Sequence, residues 1–181
     1  STLFPYTTLF RSTNFVESGG GRVTEVTIVD VLPTLAAGAA QTPAAGTPSA
    51  ALAEDGTISV DLTGLSAPTR STAAVVIRGE GSQVSATDTI VARYTIVSWS
   101  GGTVRTTNYG WTTAPGTIDM TNTLAGLSQG LVDVPVGSRV VLSLPADQAR
   151  GDEPVAVVVD VLAIVEGGAA PSDAASAPAT P

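Results

Sequence analysis

The chain has 181 residues, with 16 acidic against eight basic ones for a formal net charge of -8, and it contains neither cysteine nor histidine. Such an acidic balance argues against nucleic acid as a partner, because phosphate neutralisation needs a basic surface. The two missing residue types remove zinc and haem ligation, cysteine nucleophiles, histidine bases, Ser-His-Asp triads and disulfides from the available chemistry.

Taken in chain order, residues 1–12 read Ser-Thr-Leu-Phe-Pro-Tyr-Thr-Thr-Leu-Phe-Arg-Ser. This string is similar to the conceptual translation of a short-read sequencing adapter, in frame over positions 3–12, and is set aside from fold reasoning as an artefact. The protein proper is then expected to begin near Thr13. Residues 23–32 alternate between apolar and polar and follow Gly19-Gly20-Gly21, which predicts a strand. Its closing Val-Asp-Val-Leu at 29–32 recurs at 159–162. That separation is too long for a solenoid repeat and suits a duplicated domain. Residues 13–32 are therefore expected to be the last strand of a truncated upstream domain, loosely held or paired with an exposed sheet edge.

Residues 33–56 carry Pro33, Pro43 and Pro48 among alanine, glycine and threonine, and read as a flexible linker. Residues 167–181, rich in proline, alanine and serine, read as a disordered tail. Between them, 57–166 is the size of one domain. Strands are predicted over 57–62, 73–78, 88–99, 139–144 and 155–165, with a hairpin turn at Ser100-Gly101-Gly102-Thr103. In the third strand Ile90, Ala92, Tyr94 and Ile96 share one face, and Val91, Arg93, Thr95 and Val97 the other. A short helix is predicted over 123–131, where Leu124, Leu127 and Leu131 fall on one side. Gly126 and Gly130 weaken its propensity, so packing must hold it. The expected class is α+β, with an antiparallel sheet of about five strands wrapped around one short helix.

From Val76 to Val165 the order of these elements resembles the FKBP-type peptidyl-prolyl cis-trans isomerases. Ala92-Arg93-Tyr94-Thr95 is similar to the family's strand ending in Tyr-Thr-Gly, and Trp99-Ser100-Gly101-Gly102-Thr103-Val104 to its Asp-Gly turn. Gly126-Leu127-Ser128-Gln129-Gly130-Leu131 stands where the family has Gly-Trp-x-x-Gly-Leu. Val136-Gly137-Ser138-Arg139, running to Leu144-Pro145, resembles its Val-Gly-Ser-Arg strand and Ile-Pro-Pro end. Ala149-Arg150-Gly151-Asp152 resembles its Tyr-Gly-Asp, and Val158 to Leu162 its last strand. Residues 24–32 resemble that last strand too, so the parent is similar to tandem FKBP proteins of the actinobacterial cell envelope.

The resemblance implies an FKBP-like fold and an isomerase of X-Pro bonds, a protein-folding activity that needs no metal, cofactor, nucleophile or proton transfer. It implies a proline cup, which in the family is lined by aromatics, and a catalytic role for Tyr94, the one site aromatic at its matching position. Leu127 stands where the floor tryptophan belongs, Ile118 and Val157 where phenylalanine is usual, and Arg150 in place of the tyrosine of Tyr-Gly-Asp. Arg105 replaces a phenylalanine and Thr106 the pocket's aspartate, while Thr123 and Leu124 occupy the Val-Ile pair whose backbone anchors the peptide. The expected cup is shallower and apolar at Ile118, Leu124, Leu127 and Val157, rimmed by Arg105 and Arg150, with reduced activity. The implied partners are proline-containing polypeptide segments, met by a monomer in a secreted or membrane-anchored extracytoplasmic parent.

A non-catalytic peptide-binding or chaperone module on the same fold is the alternative, supported by the replaced aromatics. A β-sandwich spacer is a third reading, distinguished by a strand instead of a helix at 123–131. Of the remaining signals, Arg150-Gly151-Asp152 reads as a turn, Trp99 as packing beside the hairpin, and Trp111 as a candidate exposed contact. Asp147, Asp152 and Glu153 lack the dense oxygen spacing of a calcium loop and read as surface.

Overall fold

Branched residues favour extended backbone because they pack well on a pleated surface, and most strands of the computed structural model form on runs of valine, isoleucine and threonine. It describes residues 10–18, 21–29, 33–149 and 151–165. Arg150, the tail 167–181, positions 1–9 of the adapter-like stretch and residues 30–32 lie outside the described residues.

The chain divides into two units between Pro33 and Thr34. In the first, β1 (Phe10–Ser18) and β2 (Gly21–Val29) form a two-stranded antiparallel ladder, from Phe10 opposite Val29 to Ser18 opposite Gly21. Over its described residues, the strand expected over 23–32 pairs with the segment just before it.

The second unit holds β3 (Ala39–Ala40), β4 (Ser49–Leu52), β5 (Ile58–Asp61), β6 (Thr72–Arg78), β7 (Thr89–Ser98), β8 (Val104–Thr107) and β9 (Gly116–Asp119). The helix α1 (Ala125–Leu131) follows, then β10 (Arg139–Leu144) and β11 (Val155–Val165). The main sheet has seven antiparallel strands in the order β3-β6-β10-β11-β7-β8, and β9 shares the outer edge of β7 with β8. Its long strands lie where the alternation predicts them. Four of the five predicted strands (β6, β7, β10 and β11) lie in it, whereas β5 pairs with β4 in a separate two-stranded sheet. β3, β8 and β9 bring the main sheet to seven, and strands this short show no visible period.

β10 is buried along its whole length and β11 from Val155 to Leu162, as expected of strands covered on both faces. The two-residue period sends Val140, Leu142, Leu144, Val155, Val157, Val159 and Val161 into one core. It sends Val141 and Val158 into a second core on the opposite face. Ile90 and Ala92 belong to the first core, and Tyr94 and Ile96 pack against it.

The helix of the first core is short. It has no side-chain cap and no acidic residue in its first turn, and a helix of this length is marginal by itself. Burial of Leu127 and Leu131 holds it, at roughly 1.5–3 kcal/mol for each such side chain. Its two glycines permit that burial. A Cβ on Gly130 would lie 2.4 Å from Leu142 Cδ2 and 3.0 Å from Ala73 Cβ, and one on Gly126 would lie 2.6 Å from Leu144 Cδ2. The residues that lower helix propensity are those that let the helix touch the sheet.

The opposite face is closed by the stretch expected as a linker. Within 33–56, β3 pairs with Ile77 and Arg78 of β6. The backbone N–H of Ala36 donates to Asp160 Oδ2 at 2.9 Å, and that of Ala37 to the Gly137 carbonyl at 2.9 Å. Leu35, Ala50, Ile58 and Val60 then cover Val141, Val158 and Tyr109. The compact unit therefore starts at Thr34 rather than at 57. Alanine, proline and threonine bury little area each, so this strap is carried largely by backbone hydrogen bonds that a side-chain pattern does not display.

Under the strap, Arg139 and Asp160 form a bidentate ion pair, Nε to Oδ1 at 2.6 Å and Nη2 to Oδ2 at 2.8 Å. The guanidinium sits 5.9 Å from the centroid of the Tyr109 ring. The Tyr109 hydroxyl is buried there without a hydrogen-bond partner. Burial first, and the Asp160 charge second, push its pKa well above the ordinary 10.0.

Candidate functional site

On the helix side the first core is incompletely filled between β7, β8, β9 and α1, leaving an open pocket of about 310 Å³. Register explains which side chains reach it. Val157 of β11 lies opposite Ile96 of β7, and Ile96 opposite Thr106 of β8, so one cross-strand row points into the pocket. A second row runs from Ile90 to Ile118 of β9. The segment from β9 into the helix adds Asn122, Thr123 and Leu124, and α1 adds Leu127. Ile118, Leu127 and Val157 are almost fully buried and make the floor. Tyr94, Ile96 and Leu124 wall it, and Thr106, Thr117, Asp119, Asn122 and Thr123 give it a polar rim.

Tyr94, Thr106, Ile118, Thr123, Leu124, Leu127 and Val157, all singled out from the sequence, line this one pocket. Arg105 does not. It is the extra residue at a register shift, since Thr106 pairs with Ile96 but Val104 with Val97. There Nε donates to Ser98 Oγ at 2.9 Å and Nη2 pairs with Glu153. Arg150, the other expected rim residue, lies outside the described residues.

Glu153 also accepts hydrogen bonds from the Ser100 and Ser98 hydroxyls. Those two bonds, together with the Arg105 guanidinium, hold its carboxyl down at about 2. This knot ties the β7–β8 hairpin to the short loop before β11, and the surface reading of Glu153 misses it.

Four pocket residues, Ile96, Thr117, Asp119 and Asn122, escape the sequence reading. So does Asn108, which fixes Tyr94. Its Oδ1 accepts the Tyr94 backbone N–H at 2.6 Å, and its Nδ2 donates to the Ala92 carbonyl at 3.1 Å. Asn108 thus supplies the ladder bonds that β7 would otherwise lack between β8 and β9. The available signal was an asparagine placed between two short extended runs. For Asp119 it was Asp-x-Thr closing a strand, a turn in which the carboxylate accepts from the residue two positions on.

Trp99 and Trp111 both lie outside the pocket lining. Trp99 is half-buried and donates its backbone N–H to the Pro154 carbonyl. Trp111 is 54% exposed, although its indole N–H donates to the Glu54 carbonyl at 2.7 Å.

The lining holds no thiol or amine, and its one carboxylate is at the rim. What it can do chemically is desolvate an apolar group of modest size and hold the adjoining backbone at the rim.

No family profile and no curated relative matches the chain. Among solved structures it is similar to a peptidyl-prolyl cis-trans isomerase from Pseudomonas syringae pv. tomato, with a TM-score of 0.47 and 20% identity, covering 53% of this chain and 76% of that one. It is also similar to FkpA from Escherichia coli, with a TM-score of 0.48 and 20% identity, covering 56% of this chain. The chain spans 52% of the length of FkpA. The fold is α+β, an antiparallel sheet carrying one short helix.

Proposed function

We propose that the pocket between β7, β9 and α1 receives the proline ring of a polypeptide segment, and that the chain is an FKBP-type peptidyl-prolyl isomerase of reduced activity. The observation that carries this reading is the convergence of Tyr94, Ile118, Leu124, Leu127 and Val157 on one open apolar pocket with a polar rim. Rotation about a peptide bond faces a barrier of about 18–20 kcal/mol. The twisted amide at the top of that barrier has lost its conjugation and much of its polarity. A site that strips water from the prolyl amide stabilises it relative to the planar ground state. A 10⁴-fold acceleration would require about 5.5 kcal/mol of this differential stabilisation.

Reduced activity follows from the aliphatic floor. Leu127, Ile118 and Val157 offer less rigid contact area than aromatic rings, whose pairwise contacts are worth about 0.5–1.5 kcal/mol each. Two such losses lower the rate by about one to two decades. The same floor favours the second reading, a module that binds proline segments without turning them over. We further propose, on the sequence resemblance alone, that the clients are extracytoplasmic proteins met by a monomer of a secreted or membrane-anchored parent.

The test is a prolyl-isomerisation assay on peptides with varied residues before proline, run on the chain and on Tyr94→Phe and Ile118→Arg. Slow catalysis that Ile118→Arg abolishes and Tyr94→Phe weakens is the expected result. Binding without turnover would select the second reading, and folded protein that neither binds nor isomerises would refute both.

A further inference from the structure

We propose that Asp119 makes this pocket selective for polypeptide segments carrying a lysine or arginine next to the proline. The inference rests on the proline-binding reading above and names the substrate class within it.

Asp119 is the last residue of β9 and lines the pocket beside Ile118. Its carboxylate is already ordered. Oδ1 accepts the Thr121 backbone N–H at 2.9 Å and the Thr121 hydroxyl at 2.7 Å. The Asn122 N–H closes the same turn on the Asp119 carbonyl at 3.1 Å. These bonds, the Thr121 hydroxyl first, keep the carboxyl below its ordinary range, so it stays charged under neutral conditions. All are bonds from neutral donors, so they orient the charge without cancelling it.

Nothing else described cancels it either. The chain has no lysine, and no arginine among the described residues lines the pocket. Arg105 is engaged by Glu153, Arg139 by Asp160, and Arg93 by the carbonyls of Thr34 and Asn108. Glu153 and Asp119 therefore differ in kind. Glu153 is neutralised within the fold, whereas Asp119, at the mouth of an apolar recess, has no cationic partner among the described residues. A ligand that seats a ring on Leu127 and Val157 and reaches the rim with a cation satisfies both. One that brings a carboxylate meets repulsion there and across a surface of the same sign.

The experiment uses the full chain and fluorescently labelled peptides of one sequence, with lysine, leucine or glutamate placed immediately before or after a single proline. Binding is followed by fluorescence anisotropy. At low ionic strength the lysine peptides should bind about two- to fivefold more tightly than the leucine ones, the range of an exposed ion pair, and the glutamate peptides least. The lysine advantage should vanish in about 1 M salt, where charges are screened within about 3 Å. It should also vanish in Asp119→Asn, which keeps an acceptor for Thr121 and should therefore keep the turn, with the unfolding midpoint confirming the fold. Equal binding of lysine and leucine peptides to the unmodified chain, or a lysine advantage that survives Asp119→Asn, overturns the inference while the pocket reading stands. If no peptide of the series binds, both fall together.

Discussion

On one face of the sheet the contacts are apolar and a stretch is left open; on the other a charged cluster is sealed from water. The difference is sharpest on β11, where Val157 forms pocket floor and Asp160, three positions on, is a fully buried carboxylate. The helix face tolerates an opening because its floor is aliphatic and leaves no buried charge without a partner. The strap face cannot open, because a carboxylate and a guanidinium depend there on one another and on the Ala36 N–H. The open pocket falls on the forgiving side and the buried ion pair on the exacting one.

That contrast breaks most visibly at Asp160. Asp160→Asn should lower the unfolding free energy by about 3–5 kcal/mol in urea titrations, since it leaves Arg139 buried without its counter-charge. Replacing both partners together, Arg139→Met with Asp160→Leu, should recover much of that loss. A single change that shifts stability by less than about 1 kcal/mol would mean that the strap does not seal this face.

A gentler probe falls on the helix face. Gly130→Ala places a methyl against Leu142 Cδ2 and Ala73 Cβ, and should destabilise the chain by about 1–3 kcal/mol as the helix lifts from the sheet. Because Leu127 moves with the helix, peptide binding should weaken as well. Stability lost without any change in binding would separate the helix's packing from the shape of the pocket.

The smallest effect is expected from acid. The Glu153 carboxyl is depressed in the folded chain from 4.5 to about 2. Its contribution is therefore fully present above pH 4.5 and fades as pH falls toward 2. Asp55, Asp61 and Asp119 are depressed too, each held chiefly by a threonine hydroxyl, and they act in the same direction. The readout is thus a difference. Glu153→Gln should flatten the acid limb of the unfolding midpoint relative to the unmodified chain, and identical limbs would show that the knot with Ser98, Ser100 and Arg105 adds nothing.

How much of this was legible follows the same division. The faces of β7 could be read by counting in twos, and the leucines of α1 by counting in threes and fours. Part of the pocket's lining was reachable because Tyr94, Leu127 and Val157 sit in or beside the motifs that carry the family resemblance. The strap was not legible, because Ala36, Ala37, Ala39 and Ala40 act through their backbones, where a sequence shows nothing. Arg105 stays out of the pocket lining because a register shift between β7 and β8 leaves it bound to Ser98 and Glu153, which a motif comparison does not display. Asn108 and Asp119 were missed for a related reason, since a side chain standing in for a strand or closing a turn leaves no period behind it.

The bond from Ala36 to Asp160 joins positions 124 residues apart, and this has a consequence for the order of events in synthesis. Contacts between distant positions are slow to form, because the intervening chain must be gathered before they return anything. Asp160 takes its place only when β11 has slid between β10 and β7, so the strap, although translated first, must seat last. While the ribosome is still delivering the later strands, Leu35, Ile58 and Val60 have nothing to cover. The earliest part of the domain to emerge spends the longest time waiting, and within 33–56 only Leu35 and Leu52 are large apolar side chains that could aggregate meanwhile.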